Sequence, residues 1–322
     1  MVGQARKKLL VAVDGSECAL EAVRYVGAIL PPHGVDVVLL HVMTKIPESF
    51  WDLEKDHSFQ YRIADVRAWE QQEEKAIHEF IAQAREILID SGIPQESVIV
   101  KLEDRRIGIA RDIVVEAENG YCAVVVGRRG LSNLKDLVIG SIANKLIEKL
   151  AHVPVWMVGG ISHSRRILIS MDASEGAFRA VDYVGRILGG SPNHELLLFH
   201  AVRGFDVFQQ ILGRPFLPSH EKDWVEKAEK QLEDAGKEME PAFEEARNRL
   251  AGLGIGPGQV KHKIVTGVSS RAGAIVDEAQ VGGYDTIVVG RRGLSKVQEF
   301  LMGRVGNKVI QLTREKTVWV VS

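Results

Sequence analysis

Two short stretches of this chain have the residue types and spacing to hold a phosphate. Gly127-Arg128-Arg129-Gly130 is followed by nine residues and then Gly140-Ser141, the pattern G-x2-G-x9-G-S. A near-copy stands 163 positions later: Gly290-Arg291-Arg292-Gly293, nine residues, then Gly303, with Arg304 in place of the serine. Each stretch follows a β-branched apolar run, so it should join the end of a buried strand to a helix. Glycine lets a ligand approach the backbone, and Gly127 and Gly130 are expected to take positive φ. A helix beginning at Ser141 offers unpaired amides and the positive end of a dipole to an anion, and the serine adds a hydroxyl. The combination suits the ribose and phosphates of a nucleotide.

Other candidates fall at strand ends. Asp14 follows the first apolar run, and Asp172 is its counterpart in the second copy. A carboxylate there can accept hydrogen bonds from sugar hydroxyls. It can also help hold a divalent cation beside phosphates, which makes Asp14 the metal-ligand candidate, through a nucleotide-bound ion. Val42, matched by Ala201, can present backbone groups and an apolar surface to a flat base. His41 and His200 read as satisfied core histidines, since neither has a partner at metal-ligand spacing. Arg128, Arg129, Arg291 and Arg292 could approach phosphates, or be solvated or bridge the two domains; the second reading is preferred because the glycine amides already face the anion. No G-x4-G-K-[ST] occurs, and Asp14-Gly15-Ser16 follows the first strand where a dinucleotide fold would have G-x-G-x-x-G.

The elements that must position these residues come from an internal repeat. Leu9–Ser16 corresponds to Ile167–Ser174 at an offset of 158, Leu39–Val42 to Leu198–Ala201 at 159, and Tyr121–Ser132 to Tyr284–Ser295 at 163. The polar stretch Gly159–Ser164 reads as a linker, dividing the 322 residues into domains 1–160 and 161–322. Within the first copy, strands are expected at Leu9–Val13, Val35–Val42, Val98–Lys101, Ala123–Val126 and Val155–Val158. Helices are expected from Ser16 to Ile29, from about Val66 to Leu88, over Ile109–Glu118 and over Ile142–Leu150. The second copy follows the same order. Its long helix carries Val225, Ala228, Leu232, Met239, Phe243 and Leu250 on one face, with Pro241 expected to kink or interrupt it. Alternating strands and helices imply a parallel sheet covered on both faces, with ligands beyond the carboxyl ends where strand order reverses.

Composition bounds the partners. A formal net charge of -2 supplies no reason to expect nucleic acid or acidic membranes. Cys18 and Cys122 form no C-x-x-C and read as small buried hydrophobes. No apolar stretch reaches membrane-spanning length, and a cytoplasmic protein is expected. Phe50-Trp51 and Trp69 lie in and after the loop 45–65. Phe205, Phe208, Phe216 and Trp224 lie in and after the loop 203–224. These aromatics could cover a ligand, cover the sheet edge or bind a partner. The charged run Glu221–Glu245 reads as a solvated helix face.

Val11–Ser16, Leu40–Val42, Val124–Gly130, Gly140-Ser141 and Val153–Val155 closely resemble the universal stress protein family, over nearly the whole chain as two tandem domains. The resemblance implies an α/β fold: two Rossmann-like domains of the adenine-nucleotide alpha-hydrolase type, each a five-stranded parallel sheet with helices on both faces. In the family's ATP-binding branch it implies ATP, with Mg or Mn, at the glycine motif. By that likeness Asp14 faces the ribose or metal, and Val42 meets adenine through its backbone. Gly127 and Gly130 lie along ribose and phosphates, and Gly140, Ser141, Ile142 and Ala143 hold the phosphates. It also implies an intramolecular pseudo-dimer through Val153–Val158 and Thr317–Val321, with a homodimer of whole chains and an unidentified regulatory protein partner as further expectations. In the second copy Asp172, Ala201, Gly290, Gly293 and Gly303 keep the pattern. Arg304 departs from it, either clamping an anion or filling the site, and Gly306 stands where the first copy has Ala143. The reading adopted is an ATP-binding stress-response regulator without substantial turnover, rather than an enzyme. Its alternatives are a slow ATPase or self-phosphorylating enzyme, with Ser141 as acceptor, and an interaction scaffold with incidental nucleotide.

Overall fold

Apolar runs can be buried on both faces only inside a sheet with helices above and below, and Leu9–Val11, Val37–Leu40 and Ala123–Val125 are almost wholly buried. The computed structural model describes residues 6–44, 60–130, 139–160, 164–204, 230, 232–234, 236–291 and 302–322, without the side chains of 60–64. Phe50, Trp51, Phe205, Phe208, Phe216, Trp224, Val225, Ala228, Arg292 and Gly293 lie outside the described residues.

The chain divides into two compact units, Met1–Val158 and Gly159–Ser322. In the first, strands β1 (Lys7–Ala12), β2 (Val35–Met43), β3 (Val98–Asp104), β4 (Ala123–Gly127) and β5 (Val155–Val158) run parallel in the order β3-β2-β1-β4-β5. Helices α1 (Glu17–Ile29), α2 (Gln60–Asp90), α3 (Ile109–Ala117) and α4 (Ser141–Lys149) make the crossovers. α1 packs with α2, and α3 with α4, as two layers on the sheet. Strand order reverses between β1 and β4, so ligands are expected beyond the ends of those strands.

The second unit repeats this with β6 (Arg166–Ser170), β7 (Glu195–Arg203), β8 (Val260–Val268), β9 (Thr286–Gly290) and β10 (Thr317–Val321), in the order β8-β7-β6-β9-β10. Its described helices are α5 (Glu175–Leu188), α6 (Glu240–Gly252), α7 (Arg271–Val281) and α8 (Arg304–Leu312). Ser16 and Ser174 cap α1 and α5, accepting from the amides of Ala19 and Ala177 at 3.2 Å. In each unit the tryptophan of the last strand is fully buried and edge-on to a tyrosine of the first helix. Trp156 meets Tyr25 at 6.2 Å between ring centroids, and Trp319 meets Tyr183 at 5.9 Å.

Boundaries depart from expectation at β3, which runs three residues past its expected end to Asp104, and at the long helix α2. α2 begins at Gln60, so the end of the expected loop 45–65 is helical, and its buried stripe is Ile77, Phe80, Ile81, Ala84 and Leu88. Pro241 interrupts the long helix as expected: a turn at Glu238-Met239 precedes it, and the proline lies in the first turn of α6. The two cysteines are half-buried rather than buried, and burial pushes the Cys122 thiol up to about 11.

The turn before α3 is held by one carboxylate. Buried Asp112 accepts from the amides of Arg106 (2.9 Å), Ile107 (3.0 Å) and Gly108 (3.3 Å). Burial pushes this carboxyl up, but the three amides and the nearby Arg106 charge outweigh it and leave it below its ordinary value. A depressed folded-state value means that the ionised group stabilises the fold above about pH 4, and that this contribution disappears as pH falls through the folded-state value. Asp112→Ala should therefore lower the stability of the first unit by about 1–3 kcal/mol at pH 7 and by less at pH 3, where the contribution has begun to fall. Urea unfolding at both pH values is the check, and an equal loss at each would rule the carboxylate out as the cause.

Candidate functional site

The chain brings the first copy's predicted residues together at the carboxyl edge of β1 and β4. Asp14 follows β1, and its Oδ1 accepts from Ser16 N (3.1 Å) and Ser16 Oγ (2.6 Å), a turn that Gly15 completes at φ +84°. Gly130 lies against it: a Cβ added at Gly130 would stand 2.5 Å from Asp14 Oδ2. Gly140 closes the loop, its amide donating to Arg128 O at 2.7 Å. α4 then starts at Ser141 with extended Gly140 as its cap. The first intrahelical bond runs from Asn144 N to Gly140 O at 3.0 Å, so among the described residues the amides of Ser141, Ile142 and Ala143 have no helix carbonyl one turn back. Ser141 is exposed, Ile142 half-buried, and the Ala143 side chain buried, which leaves Ala143 only its amide for a ligand. Val42 is buried near the end of β2. His41 bonds through Nδ1 to Val13 O at 2.9 Å, as a satisfied histidine should.

Two expectations need correction. Neither Gly127 nor Gly130 has positive φ. They are glycines for want of room: a Cβ at Gly127 would meet Cys18 O at 2.8 Å and Cys18 C at 3.0 Å, in the first turn of α1. Arg128 and Arg291 are not solvated, each being 3% exposed. Burial, with the like charge of Arg129 adding to it, pushes the Arg128 guanidinium down to about 10. Arg129 is exposed as expected.

The second copy repeats the geometry. Asp172 Oδ1 accepts from Ser174 N (3.2 Å) and Ser174 Oγ (2.5 Å), and Gly303 N donates to Arg291 O at 2.8 Å. A Cβ at Gly290 would stand 2.5 Å from Gly176 O. His200 Nδ1 lies 2.7 Å from Met171 O. Burial lowers its pKa, with the Arg271 charge acting the same way against the Met171 bond and Asp172. Here the edge opens into a cavity of about 620 Å³, whose wall includes Asp172, Ala201, Gly290, Gly303 and Gly306. Exposed Arg304 stands on that wall and does not fill the space. Ala201 is buried, and Gly293 lies outside the described residues.

Sequence reasoning missed the rest of the lining, notably Arg203, Arg271 and Lys308. Arg271 could have been found by aligning the third helices, since Ala274–Ala279 matches Asp112–Ala117 at an offset of 162. It also missed a repeated ion pair under those helices, Lys101 with Glu116 at 2.5 Å and Lys263 with Glu278 at 2.7 Å. Among the described residues no group of three or more His, Cys, Asp or Glu could hold a metal ion. Among them, too, no helix is long and apolar enough to cross a membrane.

The model of the Universal stress protein family matches residues 5–159 and again 163–322. Universal stress protein YxiE of Bacillus subtilis is 27% identical over 165 residues, 47% of this chain and 97% of its own. Universal stress protein MJ0577 of Methanocaldococcus jannaschii is 26% identical over 156 residues, 47% of this chain and 94% of its own. The crystal structure of a universal stress protein from Archaeoglobus fulgidus covers 98% of each chain at 20% identity with a TM-score of 0.55, a likeness of fold.

The glycine contacts are testable without any ligand. Gly127→Ala and Gly290→Ala each force a methyl into helix backbone, which cannot swing aside. Each should cost about 1–3 kcal/mol of stability. Thermal unfolding measures it, and wild-type midpoints would show that the strand end has room to shift.

Proposed function

The chain belongs to the universal stress protein family, and from that premise we propose that it is a cytoplasmic ATP-binding regulatory protein that senses nucleotide without substantial turnover. One observation carries the reading. At the strand-order reversal of each sheet a carboxylate, a glycine packed too tightly for a side chain, and the N-terminus of a helix converge. Unpaired helix amides beside a hydroxyl bind phosphate, and the carboxylate is placed for ribose hydroxyls. In the second copy the opening of about 620 Å³ lies within the range of roughly 300–1,000 Å³ usual for small-molecule sites.

The first site on this reading is Asp14, Val42, Gly127, Gly130, Gly140, Ser141, Ile142 and Ala143. The second is Asp172, Ala201, Gly290, Gly293, Gly303 and Arg304. Mg or Mn would enter the first site with the nucleotide's phosphates, with Asp14 as its ligand from the protein. What supports binding over turnover is how Asp14 is used: its Oδ1 already holds Ser16 N and Ser16 Oγ, fixing the turn into α1. A carboxylate committed to a turn is poorly set to take a proton from an attacking water.

Mass spectrometry of ligand released from freshly purified protein should find ATP, at one equivalent or more per chain. Prolonged incubation with ATP should leave it intact, and Asp14→Ala should weaken binding about tenfold at the first site. Absence of nucleotide, together with no calorimetric binding of ATP, would sink the proposal. Steady phosphate release that vanishes in Asp14→Ala would replace it with a slow ATPase.

A further inference from the structure

The two copies share a frame but not a charge. Their alignment puts Thr44, Ile109 and Ser141 where the second copy has Arg203, Arg271 and Arg304, while Lys145 and Lys308 correspond. All three arginines and Lys308 line the second cavity, whose described lining holds one carboxylate, Asp172.

Two of these arginines stand at helix starts. Arg271 and Arg304 are the first residues of α7 and α8, and neither helix has an acidic residue in its first turn. A cation at a helix N-terminus opposes the dipole, and here two such ends open on one cavity. In the first copy the matching helices begin with Ile109 and Ser141, and Asp112 sits in the first turn of α3. Arg203 is placed by a different device. The β7–β8 ladder runs in register to Ala201–Val265 and then shifts, pairing Arg203 with Val268. β2 and β3 continue in register through Met43–Asp104. Such bulges re-aim side chains at the rims of sites. Just beyond, Gly204 and Gly267 pass so closely that a Cβ on Gly204 would meet Gly267 Cα at 2.9 Å.

We propose that the second cavity is a metal-independent polyanion site, in which Arg203, Arg271 and Arg304 take the neutralising place of a divalent cation on a triphosphate chain. Guanidinium groups match phosphate oxygens in bidentate fashion and keep their charge at any physiological pH. The ligand class is a chain of three phosphates, borne by a nucleoside or free. In its nucleoside form the inference rests on the ATP-binding reading above; in its anion form it does not.

The test titrates the full chain calorimetrically with ATP, with and without EDTA, and with inorganic tripolyphosphate in EDTA. It compares wild type with Arg203→Thr, Arg271→Ile, Arg304→Ser and the triple variant, all residues that the first copy already carries. One equivalent of ATP should survive chelation in wild type, weaken about tenfold with each single change, and be lost in the triple variant. Loss of all ATP binding on chelation in wild type, or chelation-resistant binding untouched by the triple change, would overturn the inference while leaving the ATP-binding reading standing. Tripolyphosphate bound without ATP would uphold the anion site and remove its nucleoside form. Neither ligand bound would end both proposals.

Discussion

The candidate sites depend on one contact between backbones. At Gly127 the end of β4 runs into the first turn of α1 so closely that no side chain fits, and Gly290 meets α5 in the same way. This contact sets where the strand must stop. The next residue donates its amide to the last strand, Arg128 N to Val158 O at 2.8 Å and Arg291 N to Val321 O at 2.6 Å. Its carbonyl then receives the amide of the glycine that caps the following helix. One residue thus ties together a strand end, the last strand and a helix N-terminus. The amides of Ser141–Ala143 point where they do because Gly140 is anchored to Arg128. The same contact explains why the aspartate belongs to the site: the turn from β1 into α1 that holds Asp14 leads into the helical turn against which Gly127 is packed.

Much of this was legible in the sequence, because the elements are regular. Apolar β-branched runs gave β1, β2 and β4 within a residue or so of their ends, and Ser16 marked the start of α1. The spacing of Ile77, Phe80, Ile81, Ala84 and Leu88 picked out the buried face of α2. Legibility failed where a property belongs to two segments at once. A glycine needed for positive φ and a glycine needed for close approach look alike in sequence, and only the position of Cys18 O separates them at Gly127. Arg128, charged and beside a glycine, reads as solvated, yet it is buried. The second cavity was legible in part, through Asp172, Ala201, Gly290, Gly303 and Arg304, whereas Arg203 and Arg271 are far apart in sequence and join that lining only through the sheet.

The pattern of likeness between the copies follows from where packing constrains the chain. Asp14 and Asp172, Gly127 and Gly290, Gly140 and Gly303, and the two buried tryptophans correspond, and each is held by backbone contact, a capped turn or a core ring pair. Thr44 against Arg203, Ile109 against Arg271 and Ser141 against Arg304 do not correspond; these are strand-end and helix-start positions, and in the second copy they line the cavity. Arg271 and Arg304 are exposed and Arg203 is half-buried, so size and charge can change there more freely than in the core. Substitutions at core positions carry a packing cost that those at the rim avoid. A duplicated domain can therefore keep its frame while one copy's rim becomes strongly basic. The shared residues report the constraint of the fold, whereas the residues that differ set the charge around the second cavity.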